Sequence, residues 1–124
     1  MSFSERFSGK KPPVNTNYLE LTPRAILAHE IAPNGLVILH VPRFRSKLWS
    51  KFFQSGAGRT PIKLKLDEFG SATWLLINNQ NNVLFIVQNL EEQFGERIKP
   101  ATERVTRFLS SLYRDKFIAF LELE

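Results

Sequence analysis

The 124-residue chain contains no cysteine, which excludes a disulfide framework, a thiolate zinc site, a cysteine nucleophile and iron–sulfur ligation by this chain alone. Histidine is nearly absent as well. His29 and His40 fall on separate predicted strands without the acidic pattern of a zinc-binding helix, so both read as structural. Long hydrophobic runs are missing: Trp74 to Ile77 and Val83 to Val87 fall far short of the roughly 20 residues a bilayer crossing needs. The polar opening, Met1 to Val14, has no apolar signal core. These absences predict a cytoplasmic protein. Gly56-Ala57-Gly58-Arg59 lacks the rest of a phosphate-loop fingerprint and reads as a turn. The neighbouring acids Asp67-Glu68 and Glu91-Glu92 lie on predicted helices and do not converge as an acid–base pair. No reaction, metal or cofactor is indicated, and a non-catalytic protein is expected.

What is present describes a small folded domain. A hydrophobic fraction of 43% and a charged fraction of 23% match a globular chain with a single core. The net charge of +5 is unevenly spread. Residues 1–66 hold 11 Lys/Arg against 3 Asp/Glu, giving +8, and residues 67–124 hold 6 against 9, giving −3. A basic front half attracts phosphate, anionic lipid or an acidic peptide, or it merely keeps the surface soluble. Residues 1–17, with Phe3 and Phe7 isolated among polar residues, are expected to be a flexible lead-in to one domain over 18–124.

Hydrophobic periodicity predicts the elements of that domain. Ala25 to Ile31 and Gly35 to Val41 read as a hairpin around Pro33-Asn34-Gly35, with Pro42 ending the second strand. Residues 43–60 form a basic and aromatic insert in which Leu48, Trp49, Phe52 and Phe53 recur at helical spacing among Lys47 and Lys51. That stripe suits packing on its own domain, with a membrane surface or a partner as the other reading. Ile62, Leu64 and Leu66 then alternate with Lys63 and Lys65, the period-two signature of a strand with one wet face.

Three helices follow. Asp67 is a natural N-cap for a largely buried helix reaching about Ile77, and Asn78 to Asn82 form a turn and cap cluster. Val83, Ile86, Val87, Leu90 and Phe94 stripe the second helix, with Gly95 closing it. The third opens near Pro100, set at its first helical position, and opposes Ala101, Val105, Phe108, Leu109 and Leu112 to charged residues including a Glu103–Arg107 pair. Ala119, Leu121 and Leu123 suggest a short final strand. The predicted class is α+β: a three-stranded antiparallel sheet, three helices and a short C-terminal strand.

The helical half of this pattern resembles the PqqD family. Leu66-Asp67-Glu68-Phe69-Gly70, leading to Trp74 and Leu76, is similar to the opening of that family's first helix. Val83, Ile86, Leu90, Phe94 and Gly95 resemble its second, and Val105, Phe108, Leu109, Leu112 and Ile118 its third. The likeness covers about 61–121. Asn78-Asn79 replaces the family's Asp-Gly turn, and Leu84 and Phe85 are apolar where the family is polar, which suggests a homodimer interface. The insert at 43–60 replaces a short connection.

The resemblance implies a winged-helix peptide chaperone, a recognition element that captures the leader of a precursor peptide as an added strand. It would present that peptide to a radical S-adenosylmethionine maturation enzyme, as in PQQ biosynthesis. By the same resemblance, Ile62, Lys63, Leu64, Lys65 and Leu66 form the edge offered. Arg104, Arg107, Phe108, Ser111 and Arg114 form the wall of the groove. Two other readings stand beside it. A winged helix with a basic third helix is also a nucleic-acid binder by design, with arginines meeting phosphates or guanine edges. The lysines of the edge also serve simply to guard a bare strand against aggregation, in a structural homodimer module or otherwise.

Overall fold

The computed structural model describes residues 17–42 and 62–124. The expected lead-in, apart from Asn17, and the insert at 43–60 lie outside the described residues. The described residues form a mixed α+β structure of three helices and two small antiparallel sheets. After a 3-10 turn at Tyr18–Glu20 come β1 (Pro23–Ala25), β2 (His29–Ile31), β3 (Val37–Val41) and β4 (Ile62–Lys65). Then follow α1 (Glu68–Leu75), α2 (Val83–Phe94), α3 (Ala101–Arg114) and β5 (Ile118–Phe120). Among the described residues no helix is long and apolar enough to cross a membrane.

The hairpin forms where the turn signal places it. Gly35 donates to the Ala32 carbonyl at 2.8 Å and adopts φ +87°, a conformation only glycine takes without strain. The strand before it departs from expectation. Ala25 to Ile31 is not one strand: β1 ends at Ala25, Leu27 turns into the core at 7% exposure, and only His29–Ile31 joins the hairpin. The run Ala25-Ile26-Leu27-Ala28 has no polar alternation to hold it flat on one sheet, so it bends and changes partners. β1 instead pairs with β5, Pro23 facing Phe120 and Ala25 facing Ile118.

That pairing also sets the phase of the tail. Ile118 and Phe120 face inward, Ala119 is half-buried and Leu121 is exposed. Leu123 is buried, but in a 3-10 turn rather than a strand.

The larger sheet runs β2-β3-β4, so among the described residues β4 is an edge. Its inner face carries Val37, Leu39, Val41 and Ile62, all buried. α1 packs beneath, and two polar contacts tie it to the sheet. The Trp74 indole N–H donates to His29 Nδ1 at 3.2 Å, which places the neutral ring's proton on Nε2. The buried Ser71 hydroxyl accepts from the Val37 amide at 2.8 Å and donates to the Leu66 carbonyl at 3.3 Å. It thereby bridges two backbone groups at the end of the β3–β4 ladder that would otherwise lack partners.

The helices follow their sequence signals closely. Asp67 caps α1 by accepting from the Gly70 amide at 2.7 Å, and Asn82 caps α2 by accepting from the Phe85 amide at 2.8 Å. The α2 stripe Val83, Ile86, Val87, Leu90 and Phe94 is buried throughout, and Gly95 ends the helix at φ +58°. α1 is shorter than expected and buried on one side only, with Leu75 51% exposed. Pro100 is the N-cap of α3 rather than its first helical residue. Glu103 and Arg107 do not form the expected pair; the ion pairs among the described residues join Arg24–Glu124, His40–Glu30, Lys63–Glu30, Arg97–Glu68 and Lys99–Glu96.

α3 closes in a Schellman motif: the Phe117 amide donates to the Leu112 carbonyl at 2.9 Å and the Lys116 amide to Tyr113 at 3.1 Å. Lys116 itself sits at φ +66°, the left-handed position usually held by glycine.

Candidate functional site

β4 and α3 border an open region whose geometry follows from the parity of the ladder. Opposite residues in the β3–β4 pair are Ile38–Lys65, Leu39–Leu64, His40–Lys63 and Val41–Ile62. One step beyond, the Leu66 amide donates to the Val37 carbonyl at 2.9 Å. In an antiparallel ladder hydrogen-bonded pairs alternate, so Leu64 and Ile62 turn their backbone groups toward β3. Lys63 and Lys65 therefore turn theirs away from β3, toward the open edge. The side chains obey the opposite alternation. Ile62 and Leu66 are buried on the inner face and Leu64 is half-buried, whereas Lys63 and Lys65 stand on the outer face.

On that outer face Glu30 holds two neighbours. Its carboxylate takes His40 Nε2 at 2.7 Å and Lys63 Nζ at 3.2 Å. Hydrogen bonds from His40 and then Lys63 keep the Glu30 carboxyl below the usual carboxylate range.

At the end of β4 the chain opens into a cleft of about 390 Å³. Lys65 and Leu66 form one side, Phe69, Gly70 and Thr73 of α1 the floor, and Arg104, Val105 and Phe108 of α3 the far wall, with Ile98 beside them. Gly70 sets how closely the walls approach. A Cβ there would lie 3.3 Å from Phe108 Cζ and 3.1 Å from Asp67 Oδ1, both tighter than ordinary contact.

Phe69 is the hub of the polar rim. Its ring meets Phe94 edge-on at 4.6 Å, and the Arg104 guanidinium lies 4.6 Å and the Arg97 guanidinium 5.4 Å from its centroid. Arg97 is also bound to Glu68, and Arg104 Nη1 donates to the Arg97 carbonyl at 2.8 Å. The result is a braced cationic edge on a cleft that is otherwise lined by apolar residues together with Lys65, Asp67 and Thr73.

Of the ten residues expected to form the site, four line this cleft: Lys65, Leu66, Arg104 and Phe108. Ile62, Lys63 and Leu64 extend away from it along the sheet edge. Arg107, Ser111 and Arg114 lie on a neighbouring ridge of α3. There the Ser111 hydroxyl donates to the Arg107 carbonyl at 3.1 Å and accepts from Arg114 at 3.3 Å.

Sequence reasoning did not assign Asp67, Phe69, Gly70, Thr73, Ile98 or Val105 of the cleft to the site, nor Arg97 beside it. Only Gly70 carried a signal, a glycine inside a helix interior, which often marks a close approach. Leu84 and Phe85 are exposed on α2, at 41% and 46%.

Compared with curated proteins and with solved structures, the chain matches none. The family model described as coenzyme PQQ synthesis protein D (PqqD) matches residues 36–118, about two thirds of the chain. That span takes in β3, β4, all three helices and every residue of the cleft, and the chain belongs to the PqqD family.

Proposed function

We propose that this protein is a non-catalytic adaptor of winged-helix type that captures a precursor or leader peptide as a strand added to β4. The peptide lies in the groove shared with α3 and is presented to a radical S-adenosylmethionine-type maturation enzyme. Family membership supports the broader half of this reading, since PqqD proteins are accessory factors of PQQ synthesis rather than enzymes.

One observation carries the rest. The backbone N–H and C=O groups of Lys63 and Lys65 point to an edge with no partner among the described residues, and that edge runs into a lined cleft. Strand addition needs both, the edge for main-chain hydrogen bonds and the cleft for alternate side chains. On this reading Ile62, Lys63, Leu64, Lys65 and Leu66 offer the edge, while Arg104 and Phe108 wall the groove. Arg107, Ser111 and Arg114 extend that wall along α3. The nucleic-acid reading draws less support, because the exposed Arg104 guanidinium is already held against Phe69 and the Arg97 carbonyl.

Amide chemical shifts decide between them. Titration with acidic leader-like peptides is expected to move the resonances of Lys63, Lys65 and α3, with little response to duplex DNA. Shifts confined to Arg107 and Arg114 with DNA, weakening steeply with salt, would replace the adaptor reading with the nucleic-acid one.

A further inference from the structure

The cations around the cleft are not equivalent. Lys63 is matched by Glu30 and Arg97 by Glu68. Lys65 and Arg104, the two that line the cleft, have no carboxylate partner among the described residues. They stand on opposite sides of it, one at the end of β4 and one on α3.

Arg104 is also held in place. Phe69 lies under its guanidinium and Nη1 is fixed to the Arg97 carbonyl, which leaves Nε and Nη2 without a partner among the described residues. A guanidinium fixed this way has already lost the rotamer freedom that binding would otherwise cost. The cleft does contain one acid, Asp67, but its Oδ1 accepts from the Gly70 amide at 2.7 Å as the cap of α1. Below the rim the surface is apolar, through Leu66, Ile98, Val105 and Phe108.

We propose that the cleft reads a carboxylate. The strand it takes carries an aspartate or glutamate seated between Lys65 and Arg104, with an apolar side chain of the same strand packed on Val105 and Phe108. This deepens the strand-addition reading and rests on it. Lys63 contributes little to the choice, because Glu30 already occupies it, so the selection falls to Lys65 at the cleft end of β4. A carboxylate placed there gains charge-assisted hydrogen bonds that its amide isostere cannot match.

Two short synthetic peptides of alternating leucine and serine test this, blocked at both ends and identical except for one central glutamate or glutamine. Affinity is read by fluorescence anisotropy and the site by amide shifts of the full chain. The glutamate peptide is expected to bind about tenfold more tightly and to move Lys63, Lys65 and α3. Arg104→Gln and Lys65→Gln should each remove most of that preference, read as the ratio of the two peptides' affinities within each variant. Lys99→Gln, which deletes an equal charge from a residue already paired with Glu96, should preserve it.

Equal affinity for the two peptides, with the β4 shifts intact, would overturn carboxylate selection and leave strand addition standing. Loss of the preference in Lys99→Gln as large as in Arg104→Gln would overturn it in favour of diffuse attraction. If neither peptide moves the β4 amides, strand addition itself is wrong and the inference falls with it.

Discussion

β2 and β4 flank the same central strand, and among the described residues both are edges, yet they differ in what lies alongside. By the same parity that frees Lys63 and Lys65, His29 and Ile31 turn their backbone groups outward from β2: the His40 amide donates to the Ala28 carbonyl and the Ala32 amide to Leu36. Two of the three side chains of β2 are engaged within the molecule, His29 with Trp74 and Glu30 with His40 and Lys63, while Ile31 is exposed. Neither of the two clefts found among the described residues includes a residue of β2. β4 instead leads into a lined cleft whose two cations, Lys65 and Arg104, form no ion pair among the described residues. An open edge is common in small sheets and needs guarding. An edge joined to a shaped cleft with unmatched charge is a place to put another chain.

The largest expected effect tests whether the parity is right. Leu64→Pro deletes an amide aimed at β3 along with a half-buried side chain, and should cost about 2–4 kcal/mol, read as a lowered urea midpoint. An unchanged midpoint would mean that the outward and inward residues of β4 have been exchanged.

A smaller effect of opposite sign sharpens the cleft side. Lys116 holds a left-handed conformation at the end of α3, so Lys116→Gly should stabilise the protein by about 1 kcal/mol, a rise in melting temperature visible by calorimetry. No gain would show that contacts of the lysine side chain offset its backbone strain.

The smallest effect links the two edges. The Glu30 carboxyl is held below its ordinary value by His40 and Lys63, so its contribution is present at neutral pH and is lost as pH falls through the lowered value. Glu30→Gln should therefore lower stability slightly near pH 7 and flatten the fall between neutral pH and the carboxylate range. Parallel urea curves for the two proteins at every pH would show that the cluster contributes nothing.

Local chemistry was legible in the sequence. Asp67 before Phe69, the Val83 to Phe94 stripe, the lysine–leucine alternation of 62–66 and the glycine of the hairpin each encode their element within a few residues. The PqqD likeness was legible for the same reason, since it rests on short helical stripes. What was not legible depends on residues distant in sequence. Nothing near Pro23 or Ile118 announces that they share a sheet, and the break at Leu27 follows from that pairing. The Ser71 bridge, the Phe69 stack beneath two arginines and the approach of Phe108 to Gly70 exist only once three helices and a sheet are assembled. The cleft was therefore anticipated by its strand and its helix, while its floor was not.

The central claim is that β4, and not β2, accepts a foreign strand through the backbones of Lys63 and Lys65. Lys63→Pro and Ile31→Pro each remove one outward amide, from β4 and β2 respectively, without breaking a bond to β3. Measured against the same glutamate peptide, Lys63→Pro should weaken binding at least about tenfold while the fold persists, and Ile31→Pro should leave affinity within about twofold. Wild-type affinity in Lys63→Pro, or equal losses in both variants, would contradict the account.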